Sequence, residues 1–441
     1  MRSPDRARKV RDHLSRTFSS LRNRNFRIFF VGQLVSTTGV WIQRTAEGWL
    51  VYELTGSKML LGTVMAVAFA PMFFFSTIGG ATADRYSKRT LLVVIQSALA
   101  IPPLMMAVLI LTGHIQVWHI MALAAMSGAG MAFEIPTRQA FLIELVGEDD
   151  LLDAIALNSA IFNGSRMLGP AIAGYLMATL GIGECYLVNA VSFFALVAGL
   201  FMLQLPPHQP QRLTESALRH ALGGFKYLRQ NSLVAGLLAM TAVVGVFGMA
   251  YQVLVPVLAK DIYHLDERGY GILMSANGVG ALAGALLVAS LPSSVDRRKA
   301  VFISILTFVV ALFFVSLAGS LWPAAFAMAA AGFGVIFYFA TANTLIQSSV
   351  TDGIRGRIMG IWTLIFGAMA PAGSLLAGSV AQWLGAQRTI QLSGIACGLS
   401  LIGAAIVLRR RIQHARHPRV DERLHVPPRI HCAASARSAA T

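Results

Sequence analysis

Charge is scarce in this 441-residue chain: Asp, Glu, Lys and Arg together make up 13% of it, about half the share found in a soluble globular protein. Cysteine is scarce too, with three residues and no CxxC pair. The sequence has no Walker A run, HExxH pair, GxSxG elbow or Asp-rich magnesium motif. These absences exclude a disulfide-stapled secreted domain, direct ATP coupling and the common metal or serine hydrolases. We therefore expect no enzymatic activity, no cofactor and no metal site.

Apolar residues, in contrast, make up 56% of the chain, and its mean hydropathy is +0.64. About 20 apolar residues in an α-helix cross the ~30 Å core of a bilayer. Such stretches recur along the chain, rich in the small residues that let membrane helices pack closely, and β-barrel alternation is missing. The sequence predicts an all-α integral membrane protein with twelve transmembrane helices, at residues 26–51, 60–82, 90–112, 116–140, 154–180, 185–205, 233–258, 270–290, 300–320, 322–347, 356–383 and 389–408.

The formal net charge of +16 is concentrated at the chain ends, where residues 1–27 contribute +7 and residues 409–441 contribute +6. With both termini inside, the inner segments hold 30 Lys and Arg residues and the outer loops hold 4. This is the distribution that the positive-inside rule describes. We therefore expect cytoplasmic termini that meet an anionic inner leaflet, and no nucleic-acid partner.

The longest inner segment divides the predicted spans into six and six. It begins with Pro206-Pro207, and Leu218, Leu222 and Phe225 fall on one face of a predicted amphipathic helix. The expected organisation is a basic tail, a six-helix bundle, a cytoplasmic linker, a second six-helix bundle and a basic tail, at residues 1–25, 26–205, 206–232, 233–408 and 409–441.

The two halves repeat weakly, as in one large class of transporters. Three short matches fall at equivalent positions, and their offsets are 209, 212 and 201 residues. The matches pair Gly62 with Gly271, Asp84-Arg85 with Asp296-Arg297, and Gly169-Pro170 with Ala370-Pro371.

The loop between spans 2 and 3 carries the most specific motif, Gly79-Gly-Ala-Thr-Ala-Asp84-Arg85-Tyr-Ser-Lys88-Arg89. It resembles the Gly-x-x-x-Asp-Arg-x-x-Arg/Lys-Arg signature of the Major Facilitator Superfamily. A glycine permits close approach to a facing helix, and an aspartate suits a helix N-terminus. In that family the loop latches the two halves through the start of span 11, a role that the resemblance implies here for Gly80, Asp84, Arg85, Lys88 and Arg89. An ordinary positive-inside hairpin with a helix cap is the alternative.

The inner end of span 4 carries Glu134 and Arg138, which are four residues apart and share a helix face. Arg138 is placed to reach Asp84 near the inner mouth. Glu134 is a candidate for a coupling role in transport, and an interfacial ion pair without such a role is the alternative.

Span 5 carries Arg166, about 18 Å deep at 1.5 Å per residue, where a cation should face protein or water. This makes Arg166 a further candidate for the coupling step. After it, Gly169-Pro170 and Gly174 resemble a relaxed copy of the antiporter signature of exporters in this superfamily, with one glycine where the family often has two. In those exporters the Gly-Pro kink seals the two halves on the outer side. A proline kink with small-residue packing is the alternative.

Span 1 carries Arg44 and Glu47, three residues apart and able to pair. They lie in the outer third of the span. Glu47 is the best acidic candidate for the proton or substrate step, and an outer-rim salt bridge is the alternative.

Other polar side chains within the spans are few, while methionine and aromatic residues are abundant. A cavity of this kind suits bulky amphipathic or aromatic ligands, whereas sugars and phosphates need denser polar or cationic linings. The alternative is that these aromatic residues face lipid or the protein core and do not line a cavity. The cavity candidates are Gln33, Tyr251, Gln252, Asn277, Tyr338 and Asn343.

The span region as a whole resembles the Major Facilitator Superfamily, and several segments resemble its drug and enterobactin-exporter-like branch. The resemblance implies a monomer in the bacterial cytoplasmic (inner) membrane. It also implies alternating access by rocking of two halves, with export of a small-molecule substrate driven by inward protons. An importer or lipid-type facilitator is one alternative, and a non-transporting sensor or scaffold is another. The branch segments are Asn25-Phe26-Arg27, Gly32-Gln33, Gly48-Trp-Leu-Val-Tyr-Glu-Leu-Thr-Gly56 and Arg355-Gly-Arg357.

Overall fold

A computed structural model of the protein describes residues 23–147, 150–204, 227–228, 231–292 and 294–416. Most of both basic tails and the predicted amphipathic helix of the linker lie outside these residues, so the predictions about them remain predictions.

Within these ranges the chain forms twelve helices and no strand, which confirms the predicted all-α fold. One of them, α7, joins two α-helical segments with π-helical turns at Val244–Gly248 and Leu258–Ile262. The helices are α1 (Arg24–Thr55), α2 (Lys58–Arg85), α3 (Lys88–Leu111), α4 (Val117–Val146), α5 (Leu151–Thr179), α6 (Ile182–Phe201), α7 (Ser232–Ile262), α8 (Glu267–Ser290), α9 (Arg297–Leu317), α10 (Leu321–Ser348), α11 (Asp352–Leu384) and α12 (Ala386–Arg416).

Among the helices described, nine are long and apolar enough to cross a membrane by length and composition alone. The other three, α1, α5 and α12, contain charged side chains such as Arg44, Arg166 and Arg388, which lower their hydropathy. The protein is therefore a multi-pass membrane protein. The last helix runs on to Arg416, so the predicted C-terminal tail begins with helix.

Within each half the helices are joined by short connections, which make successive helices antiparallel. Both ends of the helical chain lie on one face of the molecule, the terminal face, and the other face is the far face. On the far face, Gly56 ends α1 with a φ of 58° and Ser57 caps α2 by accepting the N–H of Leu60. The far-face connections are one to five residues long, at 56–57, 112–116, 180–181, 263–266, 318–320 and 385.

The twelve helices pack as two bundles with the same internal plan. In the first half, α1 packs on α5 and α6, α2 on α4, and α3 on α4 and α6. In the second half, α7 packs on α11 and α12, α8 on α10, and α9 on α10 and α12. The halves meet mainly where α2 packs on α11 and where α5 packs on α8. These two contacts are equivalent, so the bundles are related by a pseudo-two-fold axis, as a parallel repeat predicts.

Candidate functional site

The two halves approach most closely on the far face, at two glycine pairs. A Cβ on Gly174 of α5 would lie 2.7 Å from the carbonyl oxygen of Glu267 and 2.9 Å from the Cα of Gly271. A Cβ on Gly378 of α11 would lie 2.6 Å from the carbonyl oxygen of Lys58 and 2.9 Å from the Cα of Gly62. Small residues let helix backbones in membranes come this close.

The glycine pairs also correct the predicted register of the repeat. Gly62 and Gly271 occupy equivalent places, which agrees with the predicted offset of 209. The carbonyl oxygen of Pro170 lies against Gly271, and in the same way the carbonyl oxygen of Ser374 lies against Gly62. The counterpart of Pro170 is therefore Ser374 and not Pro371, because the contact between helices, rather than the proline itself, defines equivalent positions.

The third predicted member of the span 5 motif, Gly169, packs inside the first half. A Cβ on this residue would lie 2.5 Å from the Cβ of Trp41 on α1. The motif therefore has two faces, with Gly169 against α1 and Pro170 and Gly174 against α8.

A hydrogen bond and an aromatic stack reinforce the closure on the far face. The Tyr52 hydroxyl donates a hydrogen bond to the Asp261 carboxylate, across the two halves. Trp49 of α1 stacks on Tyr270 of α8, with ring centroids 5.4 Å apart. These contacts hold the halves together on the far side of the bilayer centre.

The start of α2 makes a further polar contact with the second half. The backbone N–H groups of Lys58 and Met59 both donate to Gln382 Oε1 of α11, at 3.1 and 3.4 Å. A helix leaves its first amides without a partner in its own backbone. Gln382 therefore acts as a helix cap that one half supplies to the other.

A cavity lies between the halves, below the far-face contacts. Its walls come from both bundles, and among the residues described Arg44 and Glu47 are its charged lining residues. Six methionines line it as well, and a flexible, polarisable thioether adapts to ligands of different shapes. The methionines are Met65, Met72, Met131, Met249, Met274 and Met369.

Arg44 and Glu47 are both half-buried on the cavity side of α1. The Arg44 guanidinium lies 5.6 Å from the ring centroids of both Trp41 and Phe69. The predicted direct pairing is not found, since the salt bridges among the described residues are Lys88–Glu144 and Arg138–Glu134. The guanidinium is held between aromatic faces instead, an arrangement favourable for a cation.

Arg166 is buried behind Trp41, at the contact between α5 and α8. Its Nη2 donates to Asn277 Oδ1 at 3.0 Å, and Asn277 Nδ2 donates to the Tyr251 hydroxyl at 2.6 Å. The guanidinium also lies 5.8 Å from the Trp41 ring centroid. Arg166, Asn277 and Tyr251 therefore form a buried network between the halves and do not line the cavity, in contrast to the prediction for the last two.

This buried network should couple the two halves energetically. We expect Arg166→Met and Asn277→Leu, alone and combined, to show a coupling energy of about 1 kcal/mol, near the upper range for hydrogen bonds between membrane helices. The measurement is a double-mutant cycle on unfolding in detergent. The matched control cycle combines Arg166→Met with Tyr338→Phe, which should be additive within about 0.5 kcal/mol. Equal coupling energies in both cycles would contradict a direct interaction between Arg166 and Asn277.

The other predicted cavity residues divide into one lining residue and three that lie elsewhere. Gln252 lines the cavity. Tyr338 is buried in the second bundle, 3.0 Å from the Thr241 hydroxyl. Gln33 is buried on α1 and donates to Thr37, and Asn343 accepts from Gln347 one turn along α10. A polar side chain in a span thus often finds a partner on its own helix or bundle.

The predicted latch residues between α2 and α3 differ in exposure and in their contacts. Asp84 and Arg85 are exposed on the terminal face, and a Cβ on Gly80 would meet no atom within 4 Å. Lys88 is buried and pairs with Glu144 of α4. The ion pair of Lys88 is thus made within the first half and not with the start of α11.

Arg89 fixes the start of α3 to the end of α6. Its Nε donates to the Leu200 carbonyl at 2.9 Å and its Nη2 to the Phe201 carbonyl at 3.0 Å. A cation at the C-terminus of a helix also interacts favourably with the helix dipole.

We expect Arg89→Gln to lower the free energy of unfolding by about 1–2 kcal/mol, because charge-assisted hydrogen bonds to two α6 carbonyls are lost. Thermal unfolding in detergent measures the change. Arg85→Gln removes the same charge from an exposed side chain and should have an effect within about 0.5 kcal/mol. Similar losses of unfolding free energy in both variants would mean that the removed charge, and not the contact of Arg89 with α6, causes the loss.

Arg138 does not reach Asp84, in contrast to the prediction. Its Nε donates to Glu134 Oε1 at 2.7 Å and its Nη1 donates to Asn158 Oδ1 at 2.9 Å. The i, i+4 spacing on α4 satisfies the guanidinium locally, and α5 supplies the second acceptor. Glu134 is buried and, like Arg138, does not line the cavity.

Sequence reasoning missed several lining residues. Asn189 of α6 donates to Gln43 of α1, and both line the cavity, as do Ser127 and Tyr270. The six methionines carried a compositional signal, but only the packing of helices from both halves shows which side chains face inward.

Solved membrane transporters share this architecture. The nucleoside transporter NupG matches with a TM-score of 0.72 at 12% identity, covering 87% of this chain and 98% of that one. A bacterial homolog to the human lysosomal transporter Spinster matches with a TM-score of 0.69 at 13% identity, covering 88% and 98%. At these identities the matches show the fold alone. Two six-helix bundles around a shared cavity form the fold of the Major Facilitator Superfamily, as the sequence predicted.

The chain belongs to the family of transmembrane secretion effectors, whose model matches residues 15–438. It is similar to the Staphyloferrin A transporter of Staphylococcus aureus, with 26% identity over 376 residues that cover 83% of this chain and 92% of that protein. It is also similar to the Enterobactin exporter EntS of Escherichia coli K12, with 25% identity over 411 residues that cover 92% and 94%.

Proposed function

We propose that this protein exports small amphipathic molecules, such as drugs or siderophore-like compounds, by alternating access in exchange for protons. The supporting observation is the cavity between the halves, whose charged lining residues among those described are Arg44 and Glu47. Around them the wall is rich in methionine and aromatic side chains. Relatives named for a siderophore transporter and a siderophore exporter support the cargo class.

Exchange of cargo for protons requires that the two compete for one group. Glu47 suits this role, because its ionised carboxylate is negatively charged and accepts hydrogen bonds at both oxygens, whereas protonation removes the charge and turns one oxygen into a donor. Cargo with amide, hydroxyl or ammonium donors would bind to ionised Glu47, and a proton arriving from the other side would displace it. Arg44, three residues away, provides a donor for an acceptor group on the same cargo.

The proposed orientation places the terminal face in the cytoplasm of a bacterial cell, with the protein in the cytoplasmic membrane. The positive tails support it through the positive-inside rule. With the far face closed, the cavity is then in the state that loads cargo from the cytoplasm. We further propose that Asp84 and Arg85 engage the start of α11 when the terminal face closes.

Purified protein in liposomes tests this proposal, with ethidium as a probe whose fixed charge does not titrate. We expect an imposed pH gradient to drive ethidium into the compartment that is acidic, and collapse of the gradient to stop it. Affinity for ethidium should fall as the pH falls, because protonation of Glu47 removes its negative charge and part of its capacity to accept hydrogen bonds. Ethidium transport that is unchanged when the pH gradient is collapsed would contradict exchange of cargo for protons. Affinity that rises on acidification would instead indicate that cargo and protons travel together, as in an importer.

Enterobactin serves as the second probe in the same liposomes, since it tests the siderophore class. Gradient-driven movement of enterobactin and not of ethidium would narrow the cargo to siderophore-like compounds. Movement of ethidium alone would favour a drug exporter.

A further inference from the structure

A second groove opens on the terminal face of the second half, away from the central cavity. Helices α7, α9, α10 and α12 form it, and its floor is apolar. A Cβ on Gly236 would meet no atom within 4 Å, so the absence of a side chain at this position leaves the groove open. From Ser232 to Met240 the wall of α7 spans about 12 Å along the helix axis at 1.5 Å per residue. Residues of the floor include Gly236, Leu237, Met240, Phe302, Leu345 and Leu401.

Two cations stand at the mouth of this groove. Arg298 and Lys299 belong to its lining, lie in the first turn of α9 and are exposed. Among the described residues neither side chain takes part in a salt bridge. Asp296 precedes them in the chain, and its carboxylate accepts the backbone N–H of Arg298 as the cap of α9. The start of α9, which includes Arg297, therefore keeps a net positive charge.

The equivalent helix of the first half differs in this respect. At the start of α3, Lys88 pairs with Glu144 and Arg89 donates to two carbonyls of α6. The cations of the first half thus contact protein groups, whereas Arg298 and Lys299 have no salt-bridge partner in the part of the chain that the structure describes.

We propose that this groove binds an anionic phospholipid, with its phosphate at Arg298 and Lys299 and an acyl chain along the apolar floor. Basic pockets between membrane helices bind anionic headgroups in this way. An apolar floor next to paired cations fits a molecule that carries both an acyl chain and a phosphate. The site does not depend on the transported cargo or on proton exchange.

Native mass spectrometry of the purified full-length protein tests the site, with phosphatidylglycerol and phosphatidylcholine of the same acyl chains. We expect phosphatidylglycerol to bind more tightly. Each cation near an anionic group contributes about fivefold in affinity, so Arg298→Gln with Lys299→Gln should weaken binding roughly 30-fold. Gly236→Leu should weaken it as well, because the new side chain fills the floor while both cations remain.

A matched control removes the same charge from the same face. Arg24 and Arg27 of α1 are exposed on the terminal face of the first half, and Arg24→Gln with Arg27→Gln should leave the affinity unchanged. Equal weakening by both double variants would overturn the proposal in favour of a general surface charge effect. Equal binding of the two lipids, or competition by soluble glycerol 3-phosphate, would overturn it as well, the latter in favour of a free phosphate site.

Discussion

Glu47→Gln should abolish transport driven by a pH gradient and hold cargo binding at the affinity of the protonated protein. The amide keeps the shape of the side chain and, like a protonated carboxyl, is neutral with one donor group, but it cannot take up or release a proton. We expect gradient-driven ethidium transport in liposomes to fall at least roughly tenfold, which corresponds to about 1.4 kcal/mol. Binding, followed by quenching of tryptophan fluorescence, should be weaker than in the wild type at neutral pH and should lose its dependence on pH.

The matched control for this experiment is Glu53→Gln, because Glu53 lies on the same helix and is exposed. It removes the same charge six residues further along α1 and should transport as the wild type does. If the pH gradient still drives ethidium transport by Glu47→Gln, the residue that couples transport to protons is not Glu47. A variant whose cargo affinity still falls on acidification would show that another group takes up the proton.

Gly174→Leu should shift the protein toward a conformation open on the far face. Even a Cβ at this position would lie 2.7 Å from the Glu267 carbonyl oxygen, so a leucine side chain cannot fit while α5 and α8 touch. Overpacking costs about 1–3 kcal/mol, which changes the ratio of the two conformations by roughly 5- to 150-fold. Because of the pseudo-two-fold axis, Gly378→Leu should produce the same shift through α2 and α11.

Spin labels measure this shift, in a background without native cysteines. One label at Leu180 and one at Arg268 report the distance between the halves on the far face, since both residues are exposed there. The distance distribution should move to longer values in Gly174→Leu. The matched control is Gly164→Leu on the same helix, where a Cβ would meet no atom within 4 Å. An unchanged distribution in Gly174→Leu, or an equal change in the control, would contradict the role of the glycine contacts.

The helices are predictable from the sequence because the membrane imposes a strong rule on it. Each backbone polar group in a bilayer needs a partner, so the spans are helices. Side chains that face lipid are apolar, so most spans are long apolar runs. Charged residues inside such runs are costly, and for this reason Arg44, Glu47 and Arg166 stand out.

Packing between distant segments is harder to predict. Arg166 and Asn277 are 111 residues apart in the chain, and only the contact of α5 with α8 brings them together. Position along the chain predicts that Arg138 reaches Asp84, yet its partners are Glu134 and Asn158. Matching Pro170 with Pro371 predicts an offset of 201 residues between the fifth and eleventh spans. The close approach of the backbones at the far-face glycine pairs matches Pro170 with Ser374 instead. Side-chain partners depend on helix rotation, which apolar composition does not specify.

The short far-face connections have a practical consequence. None of them contains lysine or arginine, and the basic residues near this face, Lys58, Lys260, Arg268 and Arg388, all lie within helices. Trypsin cleaves after such residues only in unfolded or extended segments. Intact cells or sealed vesicles that display the far face should therefore yield an uncut chain after trypsin treatment, and digestion from the opposite side gives an independent assay of which way the protein lies in the membrane.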